Sequence, residues 1–350
     1  MNGESIVQSM PPITRSLVGV ALLGFVLMLL HLATPILAPI LFAFFLVAMA
    51  ISPFRWLLSR GARRGPALLL MIVILVVGGL GLILLTLVSV RNLQAGLAMY
   101  AEQLAARTAE LRDALAQIGL GLGGAEAQLA SIGVSGMTAF LSALANVASN
   151  ALISLVIVAF FLFELERFMT IIRSERVRSV PFIGQLPEVG HTAVRYFGIR
   201  TRLNLITGVG VILICLLIGI DYALLWGVVA FFLSYIPYVG LLTAMIPPAL
   251  LALAEYGWPQ ALLVVVAIVL INLMIENVVE PGYTGKRLQL SPTVVFLSFF
   301  FWGWLLGPVG ALLSMPITVM LLLALQHDED TLWLARIIGT QISDEVEATT

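Results

Sequence analysis

Six stretches of this chain, 17–34, 36–56, 66–90, 147–166, 203–220 and 259–279, each approach the length of apolar sequence that a helix needs to cross a bilayer. In hydrocarbon every backbone N–H and C=O must be satisfied by the protein, so only helices and closed barrels can span. Barrel strands alternate in polarity and give a much weaker signal than these continuous runs. Composition agrees: 61% of residues are hydrophobic, 11% are charged, and mean hydropathy is +1.08. A soluble domain runs nearer 45–50% apolar and about 25% charged. The expected fold is therefore an all-α polytopic membrane protein. Only His31 to Pro35 separates the first two runs, which predicts a tight helical hairpin. Arg15 precedes the first run with no small-residue cleavage site in view, which reads as a retained span rather than a signal peptide.

Two further apolar stretches do not fit a single crossing. Residues 222–254 and 291–326 would make straight helices about 50 Å long at about 1.5 Å per residue, against a hydrocarbon core of about 30 Å. Each is broken near its middle by proline and glycine, at Ile236-Pro237-Tyr238-Val239-Gly240 and at Gly307-Pro308-Val309-Gly310. The halves are short for full spans, and re-entrant helical hairpins suit them better. Irregular backbone at such depth is tolerated only inside protein or facing water. The two stretches also resemble each other. Trp226-Gly227, Pro237, Val239-Gly240, Met245 and Pro247 run parallel to Trp302-Gly303, Pro308, Val309-Gly310, Met315 and Pro316, although the spacing differs. Broken helices in corresponding positions are the usual pointer to a transporter's binding site.

Arginine sets the expected topology. The chain has a single lysine, Lys286, among its 18 basic residues. Arg55, Arg60, Arg63 and Arg64 place the 57–65 loop in the cytoplasm, and seven arginines do the same for 167–202. The 91–146 segment then lies outside, and both termini lie inside. With hairpins, the first enters from outside and the second from inside, which is the opposed orientation of inverted repeats. Five regions follow: N-terminal spans over 1–90, an extracytoplasmic helical segment over 91–146, two spans and an Arg-rich loop over 147–220, a transport core over 221–327 and a cytoplasmic tail over 328–350. In the outer segment Leu97, Tyr100, Leu104, Leu111, Leu115 and Ile118 recur by threes and fours, with Thr108 filling the gap. This seam packs either on the chain's own helix over 126–146 or on another subunit.

The chain lacks the sequence marks of several chemistries. It has no GxxxxGK[ST] nucleotide loop, no GxSxG and no HExxH, and its three histidines are scattered without metal-ligand spacing. The lone Cys215, in an apolar run, reads as a core or lipid-facing residue. No enzyme, cofactor, metal or nucleic-acid partner is expected. What remains is polar groups beside broken helices. Asn272, Glu276 and Glu280 are spaced four apart and share one helical face, with Asn277 adjacent. A carboxylate at membrane depth is costly unless it lines a cavity or has a partner. Glu276 and Glu280, one turn apart, repel when both are ionised, so a proton or Na⁺ is a natural occupant. Glu276 is the better coupling-ion candidate, because Pro281 ends the helix beside Glu280. Ser234, Tyr235 and Tyr238 flank the break at Pro237 and Gly240, and with Pro308 and Gly310 they mark a candidate solute pathway. The same hydroxyls would alternatively satisfy carbonyls freed by Pro237. Arg200, Arg202 and Asn204 open the fifth span as a cytoplasmic anchor or a gate.

These residues resemble a known family. The run Ile275-Glu276-Asn277-Val278-Val279-Glu280-Pro281, then Gly285-Lys286-Arg287-Leu288, Leu290-Ser291-Pro292 and the stretch from Trp302 to Gly310, is similar to the C-terminal signature of the autoinducer-2 exporter (AI-2E) family. Leu225-Trp226-Gly227 and the stretch from Tyr235 to Gly240 resemble its central motif. Ser234 departs from the pattern, where an Asn is expected, and so does Gly282-Tyr283-Thr284, where a bulkier stretch is expected. The resemblance implies about eight membrane elements, a bacterial inner-membrane location and export of small molecules. It is named for a furanosyl signal of quorum sensing, and some members are credited with Na⁺/H⁺ antiport. It also implies a homo-oligomer, on the pattern of a pentameric ring. The expected function is an ion-coupled secondary exporter of a small organic solute. The alternatives are a Na⁺/H⁺ antiporter without organic substrate and a non-transporting membrane scaffold.

Overall fold

In the computed structural model, residues 11–117, 125–172, 186–236, 239–279, 291–325 and 332 are described. These are helical almost throughout. The helices are α1 (Pro12–Leu32), α2 (Thr34–Ser59), α3 (Arg64–Gln117), α4 (Ala125–Ile172), α5 (Leu186–Ile218), α6 (Ala223–Leu233), α7 (Gly240–Tyr256), α8 (Trp258–Met274) and α9 (Pro292–Leu325). A π-helical turn, Ile275–Val279, extends α8. Among the described residues six helices are long and apolar enough to cross a membrane. The first apolar stretch falls outside that set as the shorter 17–32, and the set includes 293–322 within α9. The outer faces carry many exposed large apolar side chains, Leu217 and Phe160 among them, as a lipid-facing surface requires.

The helix α3 does not stop where its apolar run ends. It continues for 54 residues in one piece, so Tyr100 stands roughly 54 Å along it from Arg64. It pairs with α4, and the seam foreseen over 97–118 is where they meet. Leu93, Tyr100 and Leu104 of α3 are buried with Met137 and Leu141 of α4, and Thr108 is buried on the same face. The chain's own helix therefore packs on this part of the seam. Ile118 lies outside the described residues, as does the Leu115 side chain.

Both overlong stretches fold back on themselves. The first divides into α6 and α7, and its ends meet, since Tyr256 Oη at the end of α7 donates to the Gly219 carbonyl just before α6, at 2.8 Å. The second, α9, reverses at Gly307, whose φ of 67° and ψ of −155° are not helical. Trp302 Nε1 donates to Thr318 Oγ1 at 3.0 Å. In a straight helix those residues would stand about 24 Å apart. Val295 also packs with Val319 and Leu322. Each reversal depends on a glycine. A Cβ on Gly240 would strike the Leu233 carbonyl, and a Cβ on Gly310 would strike the Trp302 carbonyl.

The two hairpins point in opposite directions. The α6–α7 hairpin lies along α5, with its base at Gly219 and its tip at Thr201, whose hydroxyl shares a 2.7 Å hydrogen bond with that of Tyr235. The α9 hairpin lies along α2. Its tip sits at the start of α2, where Thr34 Oγ1 donates to the Leu305 carbonyl at 2.8 Å and the His31 ring stacks on Trp304. Farther down, Leu312 and Leu313 pack with Phe45. Helices α2 and α5 are antiparallel: Ser52 of α2 lies against Gly198 of α5, while the far end of α5 lies beside Tyr100, which bonds Asp221 at 2.8 Å well beyond the start of α2. One tip therefore points toward the end of α2, and the other toward its start.

Candidate functional site

Asn204, on α5, is 2% exposed. An amide buried that deeply in an apolar helix needs partners. With its amide oriented so that both ends are satisfied, Nδ2 donates to the Arg200 carbonyl at 3.3 Å and Oδ1 accepts from the Tyr235 N–H at 3.2 Å. That N–H belongs to the turn beyond α6, so Asn204 ties the hairpin tip to α5. Tyr235 adds a second tie through its bond to Thr201. Its ring is 1% exposed and packs edge-on against Phe45 and Phe231 at centroid distances of 4.9 and 5.8 Å. Tyr235 thus forms the wall behind the tip.

In front of the tip lies a cavity of about 90 Å³, whose polar lining comes from Arg200, Asn204 and Thr207 of α5, Ser234 at the tip, Asn272 of α8 and Glu276 of the π-turn. Its apolar lining includes Ile236, Leu241, Met245, Ile268 and Ile275. Three elements thus meet here: α5, the hairpin tip and the end of α8. The i to i+5 pattern of a π-turn is rare, occurs mostly as single turns within α-helices and is frequent at functional sites. Here it begins three residues after Asn272 and carries Glu276 into the same cavity.

The sequence candidates separate in space. Asn272, Glu276, Ser234, Arg200 and Asn204 share the cavity. Asn277 is exposed and turned to its own helix, where Nδ2 donates to the Leu273 carbonyl at 3.0 Å. Arg202 is exposed, two residues on from Arg200 and so on the far side of α5. Ser234 Oγ donates to the Ala230 carbonyl at 2.6 Å, which also accepts the Ser234 N–H and so is not a carbonyl freed by Pro237. Gly240, Pro308 and Gly310 belong to the hairpin reversals. Pro237, Tyr238 and Glu280 lie outside the described residues. Thr207 was not among the sequence candidates. It is 3% exposed, and the polar spacing of Arg200, Asn204 and Thr207 along one face of α5 was the signal for it.

No group of three or more His, Cys, Asp or Glu side chains suited to a metal ion occurs among the described residues. The cavity offers instead a carboxyl, a guanidinium, two amides and two hydroxyls over an apolar floor. Such a lining suits a small cation with its water, or one end of a polar solute. Residues 20–328 match the model of the family described as AI-2E family transporter. The chain belongs to that family. It is 30% identical over 334 residues, 93% of this chain and 96% of the relative, to a Haemophilus influenzae protein called "Putative transport protein". It is 31% identical to "Putative transport protein YhhT" of Escherichia coli K12 over 83% of this chain and 84% of that one. With the AI-2 transport protein TqsA of E. coli K12 it shares 37% identity over 191 residues, 55% of this chain and 56% of TqsA. AI-2E membership and the helical architecture together make this a multi-pass membrane protein of a transporter family.

Proposed function

We propose that this protein is a secondary transporter of the bacterial inner membrane that exports a small organic solute, of the autoinducer-2 class, against H⁺ or Na⁺. The observation that carries the reading is the convergence of Glu276, Asn272, Arg200, Asn204 and Ser234 on one cavity beside a broken helix. Glu276 is the coupling residue, alternately holding the ion and releasing it. Asn272 and Asn204 are amides beside it, and Glu280, next in sequence after the π-turn, assists. The α6–α7 and α9 hairpins are re-entrant, and they enter from opposite faces. The family to which the chain belongs and the names of TqsA and the other relatives support the transport reading.

The cavity size bears on mechanism. Sites for drug-sized solutes occupy about 300–1,000 Å³, whereas about 90 Å³ holds an ion and a few waters. In the export reading this conformation is closed on the solute, and export requires the α8 end and the hairpin tip to part. The same size favours a second reading, Na⁺/H⁺ exchange without an organic solute.

Reconstitution in liposomes with an internal pH dye and an imposed Na⁺ gradient tests both. Proton movement that needs added solute supports coupled export. Movement driven by Na⁺ alone supports exchange. Glu276→Gln is expected to lower coupled flux at least tenfold and to flatten its pH dependence. Wild-type flux with an unchanged pH profile in that variant removes Glu276 from the mechanism.

A further inference from the structure

The turn between α2 and α3 gathers positive charge without a local counter-charge. Arg55, Arg60, Arg63 and Arg64 are all exposed, and among the described residues no carboxylate pairs with any of them. The turn itself is fixed by its own backbone. Arg60 N–H donates to the Trp56 and Leu57 carbonyls at 3.2 Å each, Gly61 N–H to Leu58 at 3.0 Å and Ala62 N–H to Leu57 at 3.2 Å. Trp56 is 56% exposed, and the Arg60 guanidinium sits over its ring, 5.1 Å from the centroid. Below the arginines, the first turns of α3 present Leu69, Leu70, Val73 and Ile74 outward, each between 45% and 61% exposed. A lone basic loop would satisfy topology alone. Here the charge comes with an exposed indole under Arg60 and an exposed apolar strip on the first turns of α3.

We propose that this turn is a binding surface for an anionic phospholipid, with the headgroup phosphate on the arginines, Trp56 at the glycerol level and an acyl chain along the Leu69–Ile74 strip. Guanidinium is the fitting cation, because its planar fork takes two phosphate oxygens at once and stacks on an aromatic face. Indole rings favour the headgroup boundary, where one edge is wet and the body is apolar. Basic surfaces at the membrane boundary take up anionic lipid by charge, and the fork adds geometry to that attraction.

The test uses the full chain, purified and exchanged through detergent containing phosphatidylglycerol and phosphatidylcholine, with retained lipid counted by native mass spectrometry. The wild type is expected to retain phosphatidylglycerol several-fold over phosphatidylcholine. Millimolar inorganic phosphate is expected neither to bind nor to displace it; displacement would mean a simple anion site and would overturn the lipid assignment. R60K/R63K/R64K keeps the charge and the topology signal but loses the fork, and its retention is expected to fall several-fold. Equal retention of both lipids by the wild type overturns the proposal. So does full retention by the Lys variant together with loss in R60Q/R63Q/R64Q, which would mean bulk charge attraction. The single variant Trp56→Leu, away from the charges, gives a milder check and is expected to weaken retention as well.

Discussion

Asn204 holds two elements with one amide. Its Oδ1 is the acceptor for the Tyr235 N–H at 3.2 Å, and Tyr235 is almost wholly enclosed. Replacing Asn204 by Ala removes both of its hydrogen bonds, while the Tyr235 N–H keeps its bond to the Phe232 carbonyl at 3.2 Å; two hydrogen bonds lost cost about 1–3 kcal/mol. Tyr235→Phe removes only the hydroxyl. Its partner Thr201 keeps a second bond, donated to the Phe197 carbonyl, so the cost is nearer about 1 kcal/mol. Thermal unfolding in detergent should therefore rank wild type, Tyr235→Phe and Asn204→Ala in falling order of stability. A Tyr235→Phe variant less stable than Asn204→Ala would show that the hydroxyl, not the amide, holds the tip. At this scale the sequence was partly legible. Polar residues in apolar runs stand out, so Asn272, Glu276, Ser234, Arg200 and Asn204 could each be named. Their meeting in one cavity could not be read, because it depends on how α5, the hairpin and α8 pack. Arg202 and Asn277 were named by proximity in sequence, and the phase of their helices turns them away.

At the scale of elements, proline and glycine mark both reversals in the sequence itself. Length gave the reason: a helix of 33 residues or more is too long for the hydrocarbon core, and the Pro/Gly breaks show where it folds. What the letters did not carry is how tightly the arms approach. Gly240 and Gly310 each face a carbonyl of the opposite arm so closely that a methyl group cannot be added without backbone movement. Overpacking of this kind costs about 1–3 kcal/mol. Gly240→Ala and Gly310→Ala should each reduce folded yield and lower the unfolding temperature. Gly303→Ala, whose new methyl would meet Ala311 at an ordinary 3.5 Å, should not. Equal tolerance of all three by thermal unfolding would mean that the arms have room to spread. The π-turn at Ile275–Val279 had no sequence signal at all. It depends on hydrogen-bond register, and apolar runs read alike in α and π form.

The whole molecule is organised by opposition: two hairpins, one along α5 and one along α2, with tips directed to opposite ends of an antiparallel helix pair. Arginine counting and the length of the broken stretches suggested this arrangement, and side-chain contacts give it a physical form. If the hairpins are re-entrant, their bases must open to different aqueous phases. The base of the first is marked by Trp258, which is 40% exposed and whose Nε1 donates to the Arg107 carbonyl at 3.3 Å on the distal part of α3. The base of the second is marked by Thr293, which is exposed. Cys215, the single native cysteine, is fully buried, so a cysteine placed at either mark can be labelled with little background. In intact cells an impermeant maleimide is expected to modify Trp258→Cys and Glu110→Cys. Thr293→Cys and Arg63→Cys should react only after the membrane is opened. Labelling of Trp258→Cys and Thr293→Cys from the same side would leave the fold of each hairpin intact and remove the inverted arrangement. The proposed entry of the two hairpins from opposite faces would go with it.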